Sequence, residues 1–112
     1  MAKPKSRLPD IDTLLKYAGE KFYAKVNFAG VLQSGDALTS ASCNVYAYDF
    51  SGENVTSTLI EADSKSISGA ELSARIIAGT TGKNYKLKFV AVTDDGDQFE
   101  YWIKLIVISF PR

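Results

Sequence analysis

The fold of this chain is decided by residues 85–108, which read YKLKFVAVTDDGDQFEYWIKLIVI. Apolar and polar side chains alternate on both sides of an Asp-Asp-Gly-Asp turn, as they do in strands with one buried face. Two such runs joined by an Asp-Gly turn predict a β-hairpin. The side chains predicted to point inward are Tyr85, Leu87, Phe89 and Ala91 before the turn, and Phe99, Tyr101, Ile103, Leu105 and Val107 after it.

Further strands are predicted upstream of this hairpin. Residues 22–28 and 38–50 alternate with the same period of two, and residues 55–60 are rich in β-branched side chains, which favours a half-exposed strand. Shorter strands are expected near residues 65–67 and 72–78. The predicted inward side chains are Phe22, Ala24, Val26 and Phe28 in the earlier run, and Ala41, Cys43, Val45 and Ala47 in the later one.

These segments together predict an all-β sandwich of about seven strands, with turn signals roughly every 8–12 residues. No helix-length amphipathic segment separates the strands, so an alternating βαβ fold is not expected. The length of 112 residues fits one domain. We predict an N-terminal arm over residues 1–20 and a β-sandwich domain over residues 21–112.

Residues 10–20 permit two interpretations. Ile11, Leu14, Leu15 and Ala18 lie at helical spacing, which would give a short N-terminal helix. An irregular edge strand is the alternative, and the sequence does not decide between them.

The amino-acid composition limits the classes of function and partner to be expected for the chain. Lys plus Arg and Asp plus Glu both total 13, so the formal net charge is zero, and we expect neither nucleic acid nor a membrane as a partner. The chain has no histidine, which removes the commonest general base and zinc ligand. Its single cysteine, Cys43, cannot form an internal disulfide, and its apolar row predicts a core position. We therefore predict a protein that is not an enzyme and has no cofactor.

Localisation is predicted from the two ends of the sequence. The most apolar stretch, residues 102–110, contains Lys104 and is too short to span a bilayer. The basic residues 1–10 are not followed by an apolar signal core. We expect cytoplasmic synthesis without a signal peptide.

Residues 79–87 read GTTGKNYKL and resemble the entry to the penultimate strand of immunoglobulin-like and fibronectin type III-like sandwiches. In those folds a tyrosine stands at this corner, and its hydroxyl bonds to backbone upstream. The resemblance implies that the sandwich over residues 21–112 is immunoglobulin-like. It also implies that Tyr85 has this structural role and fixes the loop to the strand.

A narrower resemblance covers residues 20 to 108. The run Gly35-Asp36-Ala37-Leu38-Thr39-Ser40-Ala41, the segment 79–87 and the turn at 93–96 are similar to small immunoglobulin-like proteins of bacteriophage and prophage structural gene clusters. The resemblance implies a structural role in a virion, in the head or the tail. Partners would then be other virion proteins or further copies of the chain.

Several aromatic residues fall out of phase with the predicted buried faces. Tyr46, Tyr48 and Trp102, interleaved with Lys86 and Lys88, could form an outward face that binds a protein or a glycan. The alternative is that Tyr46 and Tyr48 belong to the core, with their hydroxyls at its rim. The first predicted function is thus a structural or interaction module of a phage particle. The second is a module that binds carbohydrates or cell surfaces.

The turn that contains Asp94, Asp95 and Asp97 is a further candidate site. Three carboxylates around a glycine could bind calcium, but the bidentate glutamate of a calcium loop is not at the required spacing. A solvated hairpin tip explains the same residues, because Asp and Gly supply the turn geometry. We predict no metal site.

Overall fold

The alternating side chains of the C-terminal region form a long antiparallel hairpin. Its strands are β6 (Asn84–Val92) and β7 (Gln98–Ile108), and they pair along the whole length of β6. Leu87, Phe89 and Leu105 are completely buried, so the predicted hairpin and its inward face are confirmed.

The structure is a computed structural model, and it describes residues 12–109. Within that range the chain forms seven strands and one short helix. The remaining elements are β1 (Asp12–Tyr17), β2 (Phe22–Asn27), β3 (Asn44–Asp49), α1 (Thr56–Leu59), β4 (Ser66–Ser68) and β5 (Glu71–Ile76).

The strands are arranged in two sheets. One sheet has four strands in the order β1-β7-β6-β3, and the other has three in the order β2-β5-β4. Neighbouring strands are antiparallel except for β1 and β7, which run parallel. The predicted all-β sandwich of about seven strands is therefore confirmed.

The core consists of the inward rows of both sheets. Ala24, Val26 and Phe28 from the region of β2 are buried, and they belong to the same cluster as the inward residues of β6 and β7. Cys43 is also completely buried, and its Sγ accepts a hydrogen bond of 3.3 Å from the N–H of Val92. Its predicted core position is confirmed.

Two strand predictions are wrong in part. Ala41 is exposed because residues 39–42 form a turn, in which the N–H of Ser42 donates to the carbonyl of Thr39, and β3 begins only at Asn44. The β-branched segment 55–60 contains α1 instead of a strand.

Side-chain hydrogen bonds explain the helical turn. Asn54 Oδ1 accepts from the N–H of Thr56 at 2.9 Å, and Thr56 Oγ1 accepts from the N–H of Ala47 in β3 at 2.9 Å. Such local bonds from Asn and Thr compete with strand pairing. The segment therefore covers part of the outer edge of β3 rather than adding a strand to it.

At the N-terminal end, residues 12–17 adopt the edge-strand alternative and not the helix. β1 pairs with β7, so that Leu14 lies beside Leu105 and packs against the core. Lys16 is fully buried, and its ammonium donates to the carbonyls of Tyr17 and Ala18 at 3.0 and 2.9 Å. Most of the predicted N-terminal arm, residues 1–11, lies outside the described residues.

Tyr85 joins the loop before β6 to the core. Its side chain is 6% exposed, and its hydroxyl accepts a 3.0 Å hydrogen bond from the backbone N–H of Thr80. The same ring packs near Gly79, whose added Cβ would lie 3.8 Å from Tyr85 Cε2. The loop is thereby fixed to the start of the strand.

Replacing Tyr85 with phenylalanine should lower the free energy of unfolding by about 1 kcal/mol, because the Thr80 N–H loses its acceptor while the ring stays packed. Urea unfolding of the two proteins measures this difference. Tyr23→Phe is the matched control, since Tyr23 is 51% exposed. Equal stability of both variants would contradict the role of the Tyr85 hydroxyl.

Candidate interaction face on the four-stranded sheet

The outer face of the four-stranded sheet carries all five residues of the predicted interaction face. Because Val45 and Ala47 are buried, the alternating residues Tyr46 and Tyr48 of β3 point away from the core. Of the two alternatives predicted for these tyrosines, the structure therefore shows the one in which both point outward. We use the name aromatic–lysine face for the five outward residues Tyr46, Tyr48, Lys86, Lys88 and Trp102.

Lys88 lies at the centre of this face. It stands opposite Tyr46 in β3 on one side and opposite Trp102 in β7 on the other. Its ammonium is 6.0 Å from the centroid of the Tyr46 ring and 5.6 Å from that of the Trp102 ring. Glu100 Oε2 lies 3.4 Å from the same nitrogen. Lys88 is thus neutralised and held within the chain by cation–π and ionic contacts.

Tyr48 and Trp102 meet above β6, although they belong to strands on either side of it. Their ring centroids are 5.9 Å apart, and the planes are tilted by 36°. This is within the range of favourable aromatic pairs. The two rings form an apolar ridge on the outer face of the sheet.

An open groove of about 740 Å³ adjoins this ridge. Tyr48 and Trp102 line it together with Lys86, Lys104 and Phe50. Phe50 follows β3 and is 82% exposed, although a large apolar side chain at that exposure costs free energy in water. The groove therefore combines exposed aromatic surface with positive charge.

The turn after β3 forms the rim of the groove. Asp49 Oδ1 accepts hydrogen bonds from the Ser51 hydroxyl at 2.6 Å and from the N–H groups of Ser51 and Glu53, both at 2.9 Å. The Ser51 hydroxyl bond, followed by the Glu53 backbone bond, holds the pKa of Asp49 below its ordinary value. The carboxylate thus stabilises the turn that presents Phe50.

Asp49→Asn should destabilise the protein near neutral pH and much less in acid. The folded-state pKa is lowered, so the contribution of the carboxylate is present above pH 3.8 and is lost as the pH falls through the folded value. Unfolding measured from neutral pH into acid should show the two curves converging below pH 3.8. Glu53→Gln, a charge change in the same turn, is the control. A difference in the free energy of unfolding between wild type and Asp49→Asn that stays the same at every pH would contradict this role of the carboxylate.

The hairpin-tip aspartates bond to a neighbouring loop. Asp94 Oδ1 accepts from the Thr39 hydroxyl, and the N–H of Asp95 donates to Asp36 Oδ1 at 3.3 Å. Among residues 12–109, no three carboxylate, cysteine or histidine side chains are close enough together to hold a metal ion. The contacts connect the tip formed by Asp94, Asp95 and Asp97 to the loop at 36–39.

Some residues of this surface were not predicted. Leu15 is 53% exposed and lies opposite Ile106, so it extends the outer face beyond β7. No local pattern signals that contact, because it depends on the parallel pairing of β1 with β7. Asp49 could have been suspected from its position before a Ser-Gly turn, where aspartates often bond to the backbone.

The described part of the chain contains no helix with the length and apolar character required to cross a bilayer. The described residues thus form an all-β sandwich with aromatic and lysine side chains on the outer face of its four-stranded sheet. A family model described as "Podophage GP4 fiber-tail adaptor protein gp77" matches residues 16–105. The chain belongs to this family and is a tail-associated phage structural protein. No curated protein matches the chain.

Proposed function

We propose that the chain is a non-catalytic adaptor that connects a fibre to the tail of a podophage virion. The observation that carries this proposal is the family match, which runs from β1 to within β7. The family description names a fibre-tail adaptor. An adaptor holds two proteins at once, so it needs two contact surfaces on one rigid scaffold.

We assign one of these contacts to the aromatic–lysine face and the adjoining groove. Tyr and Trp are enriched at the centres of protein interfaces, where they bury large areas at low entropic cost. The Tyr48–Trp102 ridge and the exposed Phe50 supply such side chains beside the groove of the four-stranded sheet. The family comparison gives no support to the glycan-binding alternative.

The scaffold itself is proposed to be of the immunoglobulin type. If β2 to β7 are matched in order to the strands B to G of that fold, the neighbours β2-β5-β4 correspond to B-E-D and β3-β6-β7 to C-F-G. The bond from the Thr80 N–H to the Tyr85 hydroxyl lies where that fold has its tyrosine corner. Both observations support the assignment.

The adaptor role is tested in a phage that encodes the chain. Deleting its gene should yield particles that lack tail fibres, and supplying the chain from a plasmid should restore them. Negative-stain electron microscopy counts the fibres, and mass spectrometry of purified virions detects the chain. Fibres in normal number on the deletion particles would overturn the proposal, as would absence of the chain from wild-type virions.

A further inference from the structure

Two lysines face each other across the hairpin on the outer surface of the sheet. Lys86 in β6 and Lys104 in β7 are direct register partners, and both are exposed. Like charges directly opposite each other on one face of an antiparallel pair destabilise the sheet. This arrangement therefore has a cost in the isolated chain.

No carboxylate in the described residues lies within ion-pair distance of either lysine nitrogen. Neither Lys86 nor Lys104 forms an ion pair within residues 12–109, whereas their neighbour Lys88 is paired with Glu100. Asp49 is the carboxylate at the rim of the groove, and its Oδ1 already accepts three hydrogen bonds from its own turn. The two ammonium groups therefore lack a negative partner in this part of the chain.

Apolar surface lies directly beside these charges. Both lysines line the groove that Tyr48, Phe50 and Trp102 also line. A ligand that fits the groove therefore carries a negative group and an apolar or aromatic group close together. Two unpaired lysines in a chain of zero net charge are too few for a nucleic-acid backbone, which is bound through many phosphate contacts.

We propose that this groove binds an acidic segment of a partner protein in the virion. A carboxylate of that segment lies between the ammonium groups of Lys86 and Lys104, and an adjacent apolar side chain packs on Trp102 and Phe50. The proposal rests on the adaptor function and names the chemistry of one of its two contacts. The like-charge pair is relieved only when the partner is bound, which couples binding to the stability of the sheet.

Lys86→Glu is the most informative variant, because it replaces the repulsion with an ion pair to Lys104. The melting temperature should rise by about 1–5 °C. Affinity for the acidic partner should fall at least about tenfold, and binding by the unmutated chain should weaken as salt is added. Lys25→Glu is the matched control: Lys25 is exposed on β2 of the other sheet, opposite the neutral Ser73.

The binding probes are particles from the gene-deletion phage and the purified fibre protein of the same phage. The inference is supported if the unmutated chain and Lys25→Glu bind one of them, while Lys86→Glu binds it at least about tenfold more weakly. Equal binding by Lys86→Glu would overturn the inference and leave the adaptor function standing. Failure of the unmutated chain to bind either probe would instead overturn the adaptor function.

Discussion

Replacing Gly79 with alanine is expected to lower the free energy of unfolding by about 3 kcal/mol. Gly79 has a φ of +135°, a conformation that side-chain-bearing residues rarely adopt. A Cβ added there would lie 2.8 Å from Val107 Cγ2, closer than van der Waals contact permits. Val107 is buried in β7, so relieving this contact requires a shift of the valine side chain or of the backbone at position 79. A shift of the backbone would also disturb the Thr80 N–H, which bonds to the Tyr85 hydroxyl.

Gly82→Ala separates the cost of the positive φ from the cost of the close contact with Val107. Gly82 also has a positive φ, +84°, but an added Cβ there would meet no atom within 4 Å. Gly82→Ala should therefore lower the free energy of unfolding by only about 1 kcal/mol, which is the cost of placing alanine at a positive φ. Urea unfolding of both variants gives the difference, which reports the contact with Val107. Equal decreases in the free energy of unfolding at the two positions would show that the contact with Val107 does not restrict position 79 to glycine.

Trp102→Ala should weaken binding to the gene-deletion particles or to the fibre by about 30-fold or more, while the protein stays folded. Trp102 forms the ridge with Tyr48 and also holds the Lys88 ammonium under its ring. Truncating it removes the largest apolar group from the proposed contact. The cost to stability should be smaller, about 1 kcal/mol, because the side chain lies on the outer face and not in the core.

Tyr23→Ala is the matched control for this variant. Tyr23 is an aromatic residue on β2 of the other sheet and is 51% exposed. Its loss should leave binding by the aromatic–lysine face unchanged. Circular dichroism confirms that both variants fold, and a pull-down with the two probes measures binding. Equal binding by Trp102→Ala and Tyr23→Ala would remove the aromatic–lysine face from the proposed interface.

Strands with one buried face were predictable because their side chains alternate. β6 and β7 turn the residues that this period selects toward the core, although Phe99 and Tyr101 are only partly buried there. Cys43 lies in the core in phase with Val45 and Ala47. Thr56 shows where the rule fails, because its side chain bonds to the edge of β3 and favours a helical turn over a strand. β1 was ambiguous because its pairing with β7 joins segments distant in sequence.

The candidate face was predictable only as a set of outward residues. The phase of the strands predicted an outward Trp102 and left Tyr48 either outward or in the core. The contact of the two rings above β6 depends on how three strands are aligned. The opposition of Lys86 and Lys104 likewise follows from the register of the hairpin. Register is determined by packing and turn geometry along whole strands, so it could not be derived from the local pattern.

The most direct test of the adaptor account is a cryo-electron microscopy reconstruction of the virion tail at a resolution that traces side chains. In this reconstruction the sandwich should lie between the fibre and the tail. The outer face of its four-stranded sheet should be covered there, and an acidic side chain of the neighbouring protein should lie between Lys86 and Lys104. Finding the chain elsewhere in the particle, or with Trp102 and Phe50 exposed to solvent, would contradict the account.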